Sequence, residues 1–160
     1  MHELNASIRV IFLEHSDVVC RGYPIGMKNG KIPDDNIGAS SWQEPFHSFR
    51  PEAGRLDNED GVWCPNTLGE VDKKYYLQVE FPSRYNVCSV ATQGSSLYDT
   101  DWVTKYRLEF SMNGQNFALY TENGTVKVRL TRFAQHDPQF VDSNLKIKGG
   151  SLFEIDVGLP

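Results

Sequence analysis

Polar and apolar residues alternate with a period of two along several stretches of this chain. In Tyr75 to Phe81, Tyr75, Leu77, Val79 and Phe81 share one face, while Tyr76, Gln78 and Glu80 share the other. That pattern predicts a strand with one dry side. Pro82 lacks a backbone donor, so the strand stops there or lies at an edge. Val90-Ala91-Thr92-Gln93-Gly94 reads as a second strand closed by glycine. Trp102 to Phe110 alternates as well, with Trp102, Thr104, Tyr106, Leu108 and Phe110 on one face. Asn116 to Tyr120 continues as a strand, and Val126, Val128 and Leu130 alternate with Lys127, Arg129 and Thr131. Asn113-Gly114 and Asn123-Gly124 supply the turn chemistry between these runs. Short strands at regular spacing predict an all-β sandwich.

The remaining segments read as loops. Gly and Pro punctuate 20–33 into turns. Trp42 to Ala53 holds Trp42, Phe46 and Phe49 beside Pro45, Pro51, His47 and Arg50, with neither helical nor strand periodicity. Three large rings in an irregular surface loop are costly to bury together, so at least one is expected in solvent. Ser95 to Asp101 forms a second loop, with Leu97 and Tyr98 at its tip. Ile8 to Leu13 either adds a strand or ends a preceding segment, and 1–19 is read as a flank.

At 160 residues the chain has the size of one domain, and 39% hydrophobic with 12% aromatic residues suits a packed core. The net charge of −5 argues against a general nucleic-acid binder, which needs a basic surface. Attraction to anionic lipid would need a local basic patch. No apolar run approaches membrane-spanning length, and the first residues do not read as a signal peptide. His2, His15, His47 and His136 are scattered, and neither a His-Glu-x-x-His pair nor a Cys-x-x-Cys is present. No Gly-x-Ser-x-Gly elbow or phosphate loop occurs, so no catalytic residue, metal or cofactor is assigned. Asp57, Glu59 and Asp60 offer oxygen ligands to a hard cation, although such clusters are more often solvated turns. Asn5-Ala6-Ser7 and Asn123-Gly124-Thr125 match the glycosylation acceptor pattern, making Asn5 and Asn123 candidates.

Several ordered motifs resemble one family. Cys20, Pro24-Ile25-Gly26-Met27, Ile32-Pro33-Asp34 and Ala39-Ser40-Ser41 come first. Gly54-Arg55-Leu56-Asp57, Val62-Trp63-Cys64-Pro65, Tyr76-Leu77-Gln78-Val79-Glu80, Val90-Ala91-Thr92-Gln93-Gly94 and Trp102-Val103-Thr104-Lys105-Tyr106 follow. From Cys20 to about Tyr120 the chain is similar to the discoidin family, which includes the type C domains of coagulation factors five and eight. The resemblance implies a discoidin-type jelly-roll β-sandwich of the galactose-binding-like kind over 20–160. It is lost after about residue 131, so the C-terminal end is expected to be atypical or incomplete.

The resemblance also implies a set of ligands: anionic phospholipid, collagen or cell-surface glycan. In detail the motifs look most like the collagen-receptor branch, the discoidin domain receptors. That branch's collagen-contacting tryptophan falls on Trp42, shifted by one place, and its acidic contacts fall on Asp60 and Asp101. Its arginine after Thr-Gln-Gly is replaced by Ser95. Family domains join their first cysteine to one at the domain's end, and the branch also pairs the cysteine of the Trp-Cys-Pro turn there. Cys20 and Cys64 are therefore expected to lack these usual partners, and Cys88 sits where most relatives have no cysteine. The pairing of three cysteines stays open.

The expected function is therefore extracellular or cell-surface adhesion, within a larger multidomain protein. Trp42, Phe46, Phe49, Arg50, Asp60, Leu97, Tyr98 and Asp101 are the ligand-binding candidates. The rival readings are a carbohydrate-binding accessory module of a larger enzyme and an ectodomain fragment of a collagen-receptor kinase.

Overall fold

The computed structural model describes residues 5–11, 23–24, 26–66, 75–82, 86–95, 103, 105–126, 128–130 and 152–158. Eleven strands are formed among them, and the only helical segments are short 3-10 turns. The larger sheet runs β10 (Val128–Leu130), β6 (Lys105–Ser111), β1 (Asn5–Ile11), β4 (Tyr75–Glu80) and β3 (Ile37–Ala39), with β7 (Ala118–Leu119) also paired to β6. The smaller sheet runs β2 (Tyr23–Pro24), β11 (Leu152–Gly158) and β5 (Asn86–Gln93). A third, two-stranded sheet is the hairpin of β8 (Thr121–Glu122) and β9 (Thr125–Val126). This is the all-β sandwich that the alternating runs predict.

The alternation of β4 is realised directly. Tyr75, Leu77 and Val79 are buried, and Tyr76, Gln78 and Glu80 face away from the core. The strand ends at Glu80, just ahead of Phe81 and Pro82. Tyr106 and Leu108 of β6 and Val90 of β5 join the same core as Trp63, Met27 and Ile32. Both sheets therefore contribute to one interior, and each fully covered aliphatic chain there contributes roughly 1.5–3 kcal/mol.

Strand β5 is covered on both sides. Neighbouring residues in a strand point to opposite faces, and Val90 packs in the main core while Ala91 packs with Phe49, Leu56 and Val62 in a second cluster. The polar residues Thr92, Gln93 and Ser95 are consequently buried too. The Gln93 side chain finds its partner by accepting the Asp57 N–H at 2.9 Å.

Asn5–Ile11, inside the stretch read as a flank, forms β1 in the middle of the larger sheet. It runs parallel to both β4 and β6, with Ala6 opposite Tyr75 on one side and Tyr106 on the other. The C-terminal segment 152–158 forms β11, antiparallel to β5 from Leu152 opposite Gln93 to Gly158 opposite Asn86. The stretch expected to be atypical thus forms the middle strand of the smaller sheet, with a register shift between Asp156 and Val157. The single strand expected near Val126–Leu130 is split between β9 and β10. The β8–β9 turn has Asn123 at φ 51° and Gly124 at φ 74°, the left-handed pair that a tight two-residue hairpin needs.

Candidate ligand-binding loop

Residues 40–64 form a braced platform. Ser40 and Tyr76 exchange bonds: the Ser40 N–H donates to the Tyr76 carbonyl at 3.0 Å, and the Tyr76 N–H donates to Ser40 Oγ at 3.1 Å. The extended segment Gly61–Cys64 lies alongside the loop. The Val62 N–H donates to the Ser48 carbonyl at 2.8 Å, Cys64 N–H to Phe49 O at 3.3 Å, and Gln43 N–H to Cys64 O at 3.0 Å. Gly61 permits this approach, since a Cβ there would lie 2.5 Å from the Ser48 carbonyl oxygen. Trp63 is buried, and its Nε1–H donates to the Ser41 carbonyl at 3.0 Å.

Arg55 closes the platform from the other side. Its guanidinium donates to the carbonyls of Met27 and Ile32, the latter at 2.8 Å, and pairs with the Asp34 carboxylate. The planar fork suits this multiple recognition. Asp57 follows with φ 55°, a conformation Asp tolerates better than most residues, and its carboxylate pairs with Lys28. The family-like residues Arg55, Asp57 and Trp63 are therefore scaffold, holding loop to loop.

On this platform the three rings separate. Phe46 is 56% exposed, whereas Phe49 is 9% exposed and enters the second core cluster. Phe49, a ligand-binding candidate from the sequence, is thus buried and meets Phe46 edge-to-face with centroids 5.6 Å apart. Trp42 is partly buried against the main core. Two short 3-10 turns, His47–Phe49 and Pro51–Gly54, explain the separation, because they rotate Phe49 inward and leave Phe46 just ahead of the first turn. The Arg50 side chain is 45% exposed and lies 3.9 Å from Glu52. Glu44, Arg50 and Glu52 together make no basic patch here.

Asp60 is exposed, and its N–H donates to Asn58 Oδ1 at 3.1 Å. Among the described residues, no group of three or more His, Cys, Asp or Glu is arranged to hold a metal. Cys64 is half-buried and packs against the second core cluster. Leu97, Tyr98 and Asp101 lie outside the described residues, as does Cys20. Asn5 belongs to β1, and Asn123 is exposed on its hairpin turn. Met112, 52% exposed on the turn after β6, is a large apolar surface residue that periodicity did not single out. Among the described residues no helix is long and apolar enough to cross a membrane.

Comparison with known proteins adds a family match. Residues 36–149 match the family described as F5/8 type C domain. The chain is 34% identical over 112 residues to lactadherin of Rattus norvegicus, covering 66% of this chain and 26% of that protein. It is 33% identical over 108 residues to neuropilin-2 of Homo sapiens, covering 66% and 11%. Coagulation factor VIII of Homo sapiens is 31% identical over 135 residues, covering 80% of this chain and 6% of that protein. The chain thus spans about a quarter or less of these relatives.

Proposed function

The chain belongs to the F5/8 type C domain family, and from that we propose an extracellular recognition module, with no catalytic role, that docks a braced aromatic loop onto a cell-surface or matrix ligand. The observation that carries this is Phe46. A large ring is left 56% exposed on a loop that backbone hydrogen bonds tie to Gly61–Cys64. Ordering a contact ring in advance lowers the entropy lost when a partner covers it. The ligand is a phospholipid surface, collagen or a glycan, and the module works as one part of a longer multidomain protein.

The energetics set the mode of use. One ring fully covered by a partner contributes roughly 1.5–3 kcal/mol, against an association cost of several kcal/mol. A single copy binds modestly, and firm attachment comes from repeated modules or clustered ligands. Without a basic patch among Glu44, Arg50 and Glu52, the loop contact is apolar in origin and weakly salt-dependent.

The test is a binding panel of phosphatidylserine vesicles, phosphatidylcholine vesicles, fibrillar collagen and immobilised glycans, run with wild type and Phe46→Ala. Binding to at least one surface is expected, with loss in the variant while its melting temperature stays within about 4 °C of wild type. Equal binding by the two proteins refutes the loop proposal. Trp42 is a poorer probe, because it packs against the core and its removal also disturbs folding.

A further inference from the structure

Asn-Gly occurs on two turns of this chain, as Asn113-Gly114 after β6 and as Asn123-Gly124 between β8 and β9. Both asparagines are exposed. Glycine has no Cβ to shield its amide nitrogen, so in this dipeptide that nitrogen can reach the side-chain carbonyl carbon of the preceding asparagine. Whether it does so depends on how firmly each asparagine is held.

The two are held very differently. Asn113 Oδ1 accepts the N–H groups of Gln115 and Asn116, both at 3.0 Å, and the Ser111 hydroxyl at 3.1 Å. Ser111 Oγ in turn accepts the Asn113 N–H at 3.3 Å, and Ser111 is buried at the end of β6. The Asn113 carboxamide cannot swing toward Gly114 until several of these bonds break. Among the described residues the Asn123 side chain makes no hydrogen bond. Beside it, a Cβ placed on Gly124 would meet nothing within 4 Å. The surrounding hairpin is a sheet of its own, with Thr121 opposite Val126 and Glu122 opposite Thr125 and no third strand. Closing a ring across Asn123-Gly124 requires this turn to relax, and a free-standing ladder so short relaxes at little free-energy cost.

We propose that Asn123 is a site of spontaneous deamidation, while Asn113 in the same dipeptide is protected. The Gly124 amide nitrogen, having lost its proton to water, attacks Asn123 Cγ. The new C–N bond closes a succinimide as the Cγ–Nδ2 bond breaks, and the departing nitrogen takes up a proton and leaves as ammonia. Water then opens either imide carbonyl. The net change is carboxamide plus water to carboxylate plus ammonia, with no electron transferred. One opening gives aspartate; the other gives isoaspartate, whose main chain runs through the former side chain and is longer by a methylene. The left-handed pair at φ 51° and 74° fits a tight two-residue turn, and a longer main chain there disrupts the hairpin. The new carboxylate also stands next to Glu122. Neither product keeps the carboxamide nitrogen that a glycan needs, so deamidation and glycosylation of Asn123 exclude one another. The proposal rests on this turn alone and is independent of the loop around Phe46.

The test ages the full, unglycosylated chain in neutral buffer at body temperature and follows both dipeptides by peptide mapping. Labelling with isoaspartate methyltransferase is the second readout. The Asn123 peptide is expected to exchange the mass of an NH for that of an oxygen, and to take up label. It should do so at least about tenfold faster than the Asn113 peptide, the equivalent of one to two net hydrogen bonds. In denaturing urea the two rates should converge, because the bonds that hold Asn113 are gone. The proposal is overturned if the Asn123 peptide keeps its mass in the folded chain while the urea-unfolded chain reacts. It is equally overturned if Asn113 reacts as fast as Asn123 in the folded chain, or if the difference between them persists undiminished in urea.

Discussion

Arg55→Ala tests the assignment of the family-like motif to scaffold. The substitution removes donors to the carbonyls of Met27 and Ile32 and a partner of Asp34. The Asp34 carboxylate is 68% exposed, so that ion pair contributes little. The two carbonyl bonds come from a charged donor only 13% exposed, and such bonds contribute about 1.5–3 kcal/mol each. Met27 O keeps the Gly30 N–H at 3.3 Å, which offsets part of the loss. The expected destabilisation is about 3–5 kcal/mol, a large share of a typical domain's stability. Urea and thermal unfolding measure it, with a fall in melting temperature on the order of 10 °C. Arg55→Lys should recover roughly half, since an ammonium cannot span both carbonyls, and Asp34→Asn should cost less than about 1 kcal/mol. A stability of Arg55→Ala within about 1 kcal/mol of wild type refutes the clamp. So does an Asp34→Asn variant as unstable as Arg55→Ala.

Three further outcomes follow from the same geometry. Phe49→Ala should lose about 3–5 kcal/mol by denaturant unfolding, because it empties the second cluster, whereas Phe46→Ala should lose about 1 kcal/mol or less. Gly61→Ala should cost about 1–3 kcal/mol in the same assay, since its Cβ would meet the Ser48 carbonyl at 2.5 Å. Expression through a eukaryotic secretory route should glycosylate Asn123, exposed with Gly124 and Thr125 on its turn. Intact mass should fall with peptide-N-glycosidase, and Thr125→Ala should remove the part of that fall due to the Asn123 glycan.

Much of the fold was legible because its signals are local. The alternation of β4 and the Asn123-Gly124 turn depend on residues a few places apart, and both appear as read. The inward turn of Phe49 was not legible, for it depends on Gly61–Cys64 pairing with the loop from more than ten residues away. The burial of Glu109 was missed for the same reason: its alternation says outward, and β7 returns along β6 with Leu119 opposite it. The motif residues Arg55 and Trp63 were recognisable as a signature, but their scaffold role shows only in their partners, Ile32 and Ser41.

The placement of β1 dictates how this domain must be cut and how it assembles. Its neighbours are drawn from segments about 70 and 100 residues further along, so the middle of the sheet cannot zip up from nearby pieces. A version trimmed to begin near Cys20, where the family-like motifs start, would tear out the centre and leave β4 and β6 with bare inner edges. Bare edges recruit strands from other molecules, so such a trimmed protein should precipitate or swap segments, while one that retains Asn5–Ile11 stays monodisperse.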